Sequence, residues 1–184
     1  MATLEEIQQP IADKVRRYET FITEILHSDS GYVSSICNYI LANRGKQMRP
    51  LLVLLSAALH GEIGTRSYLG ASLVEMLHTA SLIHDDVVDE STERRGQLSV
   101  NAIFNNKVAV LTGDYLLATS LVHAELTNSH QIIRLVSSLG QDLADGELLQ
   151  LSNVSNHSFS ETVYFDVIRK KTAALFAALS LIHI

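Results

Sequence analysis

The stretch His78-Thr79-Ala80-Ser81-Leu82-Ile83-His84-Asp85-Asp86-Val87-Val88-Asp89-Glu90 decides how this chain is read. Apolar residues recur before and through it at three- and four-residue spacing, which marks a helix over 66–90. His78 and Asp85 are seven residues apart, and Asp85 and Asp89 are four apart. All three therefore fall on one stripe of the helix, with Asp86 beside it. The macrodipole makes a helix C-terminus negative, so three aspartates there, with Glu90 behind them, need a cation. Oxygen-only ligands favour a hard divalent ion such as Mg²⁺ over zinc. A solvated acidic helix end is the plainer alternative for the same residues. Arg94-Arg95-Gly96 follow across a short polar loop. Guanidinium groups match phosphate oxygens in a bidentate fork. Carboxylates, a hard cation and arginines together describe a site for a diphosphate.

Outward from this stretch the same periodicity gives helices over 10–27, 31–43, 49–60, 101–127, 129–154 and 159–182. Both prolines, Pro10 and Pro50, suit the first turn of a helix. Gly31, Gly45, Gly61, Gly64 and Gly96 fall at expected breaks. No segment sustains period-two alternation, and no Asn-Gly or Asp-Gly hairpin signal stands between β-rich runs. The fold expected is all-α, with no internal repeat and no linker.

The chain has 184 residues, 47% of them hydrophobic and 18% charged, which suits one domain with a sizeable core. A net charge of −6 and the lack of a basic stripe argue against a nucleic-acid partner. Cys37 is the only cysteine, so no internal disulfide forms, and a reducing cytoplasm is expected. The start, Met1-Ala2-Thr3-Leu4-Glu5-Glu6, carries no apolar signal core, and no apolar run is long enough to span a bilayer. A soluble protein is expected.

Three further clusters bear on chemistry. Arg44-Gly45-Lys46-Gln47-Met48-Arg49-Pro50 leads from a glycine break into a helix start, where free N–H groups favour an anion. Taken alone it also reads as an ordinary basic loop. Gly113-Asp114-Tyr115 and Asp145-Gly146-Glu147 place glycines inside helices, at a cost of about 1 kcal/mol each relative to alanine. That cost implies close packing or room for a ligand. Arg169-Lys170-Lys171-Thr172 puts positive charge into the last helix, as a phosphate contact or as a solvated face.

Taken in order, these clusters resemble the trans-isoprenyl diphosphate synthases, or polyprenyl synthetases. Asp85, Asp86 and Asp89 match the family's first aspartate-rich motif, and Gly45, Lys46, Arg49 and Pro50 match its Gly-Lys-x-x-Arg-Pro. His78, the pair Arg94 and Arg95, Lys171-Thr172 and Glu147 fall at further family positions. The neighbourhood of His78–Ser91 looks most like long-chain, octaprenyl-type members.

The resemblance implies an isoprenoid synthase-type helical bundle and a Mg²⁺-dependent condensation of isopentenyl diphosphate with an allylic prenyl diphosphate. It assigns Mg²⁺ and the allylic diphosphate to Asp85, Asp86 and Asp89, with Arg94 assisting. Isopentenyl diphosphate falls to Lys46, Arg49, His78 and Arg95. Lys171, Thr172 and Glu147 would stabilise the leaving group or the cation. Ala80 and Ser81, both small, would leave the tunnel below the aspartates open to a long product. A homodimer is implied for the full-length protein, as is membrane proximity through its apolar product.

The family's second aspartate-rich motif is not found before the last residues, Leu179-Ser180-Leu181-Ile182-His183-Ile184. Residues 1–184 are therefore expected to be the N-terminal portion of the domain, a bundle incomplete at its C-terminus and catalytically impaired alone. Two other readings compete. A helical metal phosphohydrolase would use His84-Asp85 with histidines recruited from His60, His123 or His130. A non-catalytic partner subunit or fragment would bind diphosphate without turnover.

Overall fold

The computed structural model describes residues 3–157 and 160–179. Ten α-helices among them follow the expected order: α1 (Leu4–Gln8), α2 (Ala12–Ile25), α3 (Gly31–Ala42), α4 (Met48–His60), α5 (Thr65–Val88), α6 (Val100–Phe104), α7 (Asn106–Leu126), α8 (His130–Ser155), α9 (Glu161–Ile168) and α10 (Ala174–Leu179). The starts carry readable caps. Thr3 and Glu6 form a capping box, and Ser129 and Ser160 accept the backbone N–H groups of Ile132 and Val163. Pro50 sits in the first turn of α4, where its missing N–H costs nothing.

α5 is the axis of the fold. Its residues from Ser67 to Val74 are all buried, so this half is enclosed on every side. It packs along α7 and α4, and α2, α8 and α10 close over it. Leu73 and Ala71 from α5, Val53 and Leu54 from α4 and Leu116 from α7 form the centre of the core, each 0–1% exposed. Burying a leucine stabilises the fold by roughly 1.5–3 kcal/mol. No helix among the described residues is long and apolar enough to cross a membrane.

Four expectations are corrected. The first helix is preceded by α1 and a 3₁₀ turn at Gln9–Ile11, which holds Pro10. The helix expected over 101–127 is broken at Asn105, whose backbone (φ 79°) leaves the helical region while its side chain caps α7 at Val108. The helix expected over 159–182 is interrupted by a π-helical turn at Arg169–Ala173, and its residues 159 and 180–182 lie outside the described residues. A small hairpin was also missed. β1 (Glu93–Arg94) pairs antiparallel with β2 (Gln97–Leu98), with Glu93 opposite Leu98. Arg95 (φ 57°) and Gly96 (φ 77°) form its turn, both in the left-handed region that a two-residue hairpin demands. Arg-Gly does this here in place of the commoner Asn-Gly. The all-α class stands, with this hairpin as its one sheet among the described residues.

Candidate functional site

The hairpin, the α3–α4 loop and the middle of α5 enclose a cavity of about 440 Å³. Arg44 and Lys46 face it from the loop, Arg49 from the first turn of α4, His78 and Glu75 from α5, and Arg94 and Arg95 from the hairpin. Local geometry explains the convergence. Tyr39 of α3 donates its hydroxyl to the Leu98 carbonyl and ties the hairpin to the bundle. Gly45 has no side chain because the Arg95 guanidinium fills the space a Cβ would take. Gln47 holds a left-handed backbone (φ 50°) and donates from Nε2 to Glu75 Oε1 at 2.9 Å.

The cavity carries donors with nothing to bind. Arg44 Nη1, Arg49 Nε and His78 Nε2 are buried and have no hydrogen-bond partner in the protein. Unmade buried hydrogen bonds cost about 1–3 kcal/mol each, so such a set marks a place for a ligand. Burial, then the positive charges of Arg49, Arg95 and Arg94, push His78 from 6.5 down to about 3. The ring is neutral at ordinary pH and can donate or accept without adding charge. Burial likewise lowers Arg49 and raises Glu75, a carboxylate set among the cations of the cavity. Arg49 also lies 5.3 Å from the Phe176 ring centre of α10. Cations, a neutral imidazole and unfilled donors suit a polyanion.

Farther along α5 the aspartates separate in role. Asp86 is 4% exposed and held by Arg94, with Nη2–Oδ1 at 2.7 Å and Nε at 2.9 and 3.1 Å from the two oxygens. Asp85 is half-buried. Burial and the negative charges of Glu147 and Asp89 raise its carboxyl, against the pull of Lys171 and Arg94. Asp89 is exposed and ends α5, its N–H bonded to the Asp85 carbonyl at 2.8 Å. Asp85 is repelled by Glu147 and Asp89, which a hard cation relieves, so these carboxylates have the chemistry for Mg²⁺. They are not gathered around one point. Among the described residues no three His, Cys, Asp or Glu side chains are placed to hold a metal together.

The opposite side comes from α8 and the π turn. Lys171 pairs with Glu147 and donates to Gln150 Oε1 at 3.0 Å, and Lys170 pairs with Asp145. The turn rests on Gly146, where an added Cβ would stand 2.9 Å from Lys171 Cγ. Single π turns are frequent at functional sites, and this one carries Lys171 and Thr172. Thr172 is exposed. Ala80 is fully buried in the core and does not line the cavity, while Ser81 is half-buried and donates to the His78 carbonyl. His84 is not grouped with His60, His123 or His130. Its Nε2 lies 3.1 Å from the Val110 carbonyl and 3.4 Å from Asp114 Oδ1 on α7, so nothing favours the phosphohydrolase reading.

Arg44, Gln47, Glu75 and Gln150 also take part; from sequence, Arg44 and Gln47 stand only within the basic cluster before α4, and Glu75 and Gln150 have no role. Helical spacing could have found two of them. Glu75 stands three residues before His78, and Gln150 three after Glu147.

A polyprenyl synthetase family model matches residues 30–182. The chain belongs to the polyprenyl synthetase family. Within it, octaprenyl diphosphate synthase of Escherichia coli (strain K12) is 37% identical over 175 residues, which are 95% of this chain and 54% of that protein. A polyprenyl synthase from Caulobacter crescentus CB15, solved with calcium and isoprenyl diphosphate, superposes with a TM-score of 0.91 at 32% identity, covering 98% of this chain and 55% of that one. A geranylgeranyl pyrophosphate synthase structure from Bacteroides thetaiotaomicron is 53% identical at a TM-score of 0.77, again covering 98% and 55%. The expected bundle of the polyprenyl synthetases is therefore present, and the chain spans about half the length of the curated relatives it matches.

Proposed function

We propose that these residues form one half of a prenyltransferase that condenses isopentenyl diphosphate with an allylic prenyl diphosphate to give a long all-trans polyprenyl diphosphate. One observation carries the reading. A single helix, α5, presents a cavity of unfilled donors at His78 and a cluster of repelling carboxylates at Asp85. That pairing suits two diphosphates held by different means.

Lys46, Arg49 and Arg95, with Arg44 beside them, would take isopentenyl diphosphate, and neutral His78 would bond its oxygens. Asp85 and Asp89, joined by Asp86 once Arg94 turns to phosphate, would hold Mg²⁺ with the allylic diphosphate. Bound there, Mg²⁺ would supply charge neutralisation for the leaving diphosphate. Lys171 would exchange Glu147 for that diphosphate, and Thr172 is exposed beside it. The condensation breaks the allylic C–O bond, makes one C–C bond and releases diphosphate and a proton. The departing diphosphate is the base at hand. The long product rests on the octaprenyl-type relatives and on the small, half-buried Ser81, while the geranylgeranyl likeness marks the shorter alternative.

The free thiol of Cys37 supports a reducing, cytoplasmic setting. Exposed Leu111, Leu121 and Val122 on α7 support a homodimer of the full protein, whose apolar product would bring it near a membrane. The test is incorporation of radiolabelled isopentenyl diphosphate with farnesyl diphosphate and Mg²⁺ by a chain extended to the relatives' length. Products of eight or so prenyl units support the reading; a ladder ending at geranylgeranyl refutes the long-product part, and no incorporation refutes the whole.

A further inference from the structure

His84 stands next to Asp85, yet its ring points away from the site, into α7. There it meets Gly113, which is buried in the middle of a 21-residue helix. A Cβ on Gly113 would overlap the His84 ring, with Cδ2 at 2.6 Å and Cε1 at 2.7 Å. A helix interior ordinarily disfavours glycine, so the notch is kept against propensity. The ring that fills it is also bonded. Nε2 lies 3.1 Å from the Val110 carbonyl and 3.4 Å from Asp114 Oδ1. Both partners are acceptors, so Nε2 carries the hydrogen.

We propose that His84 is a positioning residue, which sets the roll of the last turn of α5 by seating its ring in the Gly113 notch and bonding the Val110 carbonyl. This rests on reading Asp85 as a ligand of a metal-bound diphosphate. α5 ends four residues after His84, and its C-cap Asp89 is exposed. Arg94 and the Ser91 N–H hold the turn at Asp86, and a roll about that anchor would carry Asp85 away from Glu147 and Lys171. The ring adds a second anchor to that turn, on α7. Neither His84 nor Gly113 need touch the metal or the substrate for this.

The experiment is calorimetric titration of the chain with inorganic diphosphate, with and without Mg²⁺. Partners that orient metal ligands typically change metal affinity by about 10–100-fold when removed. His84→Ala and Gly113→Ala are each expected to weaken Mg²⁺-dependent binding at least about ten-fold on that basis, and to leave Mg²⁺-free binding in the basic cavity unchanged. His84→Gln keeps a donor at comparable reach and should recover most of the loss. Adding Gly113→Ala to His84→Ala should cost no further affinity, and should raise the melting temperature because alanine is the better helix former once the ring is gone. Unchanged Mg²⁺ affinity in His84→Ala overturns the proposal, as does equal loss of both kinds of binding or a His84→Gln variant no better than alanine. Asp85→Asn separates the two levels. If it retains Mg²⁺-dependent binding, the reading of the aspartate site fails. If it loses binding while His84→Ala does not, only the positioning role fails.

Discussion

His78 folds neutral and unfolds basic, and that difference makes the molecule sensitive to acid. Its folded value is about 3, against 6.5 when solvated. Between those values the unfolded chain binds a proton that the folded chain refuses, so stability falls as pH drops through the window. Denaturant titrations from pH 7 to 4 should show this slope, and His78→Gln should flatten it. Glu75 runs the other way. Burial raises its carboxyl, so its contribution is largest when it is protonated and is lost as pH rises through its folded value. A second prediction concerns Asp86. Arg94→Ala leaves a carboxylate that is 4% exposed without its partner. Breaking a buried pair on one side costs about 3–5 kcal/mol, and the partial exposure of Arg94 brings the expected loss to ~2–3 kcal/mol. Equilibrium unfolding of that variant measures it, and a loss under 1 kcal/mol on the order-of-magnitude scale of a surface pair would refute the buried-pair assignment.

Among the elements, α5 carries the chain-length question. Ala80 is fully enclosed in the core, so Ala80→Phe overpacks it at a cost of typically 1–3 kcal/mol. Ser81 is half-buried and lies four residues before Asp85 on the same face. Ser81→Phe in a chain of the relatives' length should therefore shorten the product without a comparable drop in melting temperature. An unchanged product ladder would remove Ser81 from that role. The hairpin makes a different prediction. Gly96 sits at φ 77°, and the turn holds Arg95 over Gly45. Gly96→Ala should cost roughly 1–2 kcal/mol and weaken Mg²⁺-free diphosphate binding. The hairpin was not legible in the sequence because Arg95 bears φ 57°, a strain that the guanidinium contact with Gly45 stabilises and local propensity does not report. The π turn was not legible. Charge at Arg169–Lys171 pointed to a phosphate contact or a solvated face of an unbroken helix, and the turn follows from the approach to Gly146 on a distant helix. The glycines at 113 and 146 were read as packing or ligand space, and both proved to be packing, against His84 and against Lys170 and Lys171. The long helices came through because a 3.6-residue burial period is written in the local order of apolar residues. The pairing of Asp86 with Arg94 did not, since adjacent carboxylates differ only in which way the helix turns them.

At the scale of the whole molecule, the chain covers 54% of the octaprenyl diphosphate synthase relative. Its described residues supply carboxylates on one side of the proposed allylic site, at Asp85, Asp86 and Asp89. Preorganised charge is usually the largest catalytic contribution, and removing one stabilising donor costs on the order of 10²–10³ in rate. The 184 residues alone should bind diphosphate yet condense substrates at least about 10²-fold more slowly than a chain of the relatives' length. Matched radiolabel assays of the two would measure it, and equal turnover would overturn the expectation. Leu111, Val122 and Leu148 stand 61–67% exposed on α7 and α8. Sedimentation of the 184-residue chain should accordingly show self-association that grows with concentration.

α5 also acts as a ruler. His78 and Asp85 lie seven residues apart on one unbroken helix, which at 1.5 Å per residue sets their separation along the axis at roughly 10 Å. The two diphosphates would be held at that interval whatever their tails do, so the gap the reacting carbons must close is written in residue count. One residue inserted between them would lengthen the interval by only ~1.5 Å but turn Asp85 by about 100° relative to His78. Both anions could still bind, each to its own half of the helix, and the carbons would no longer meet.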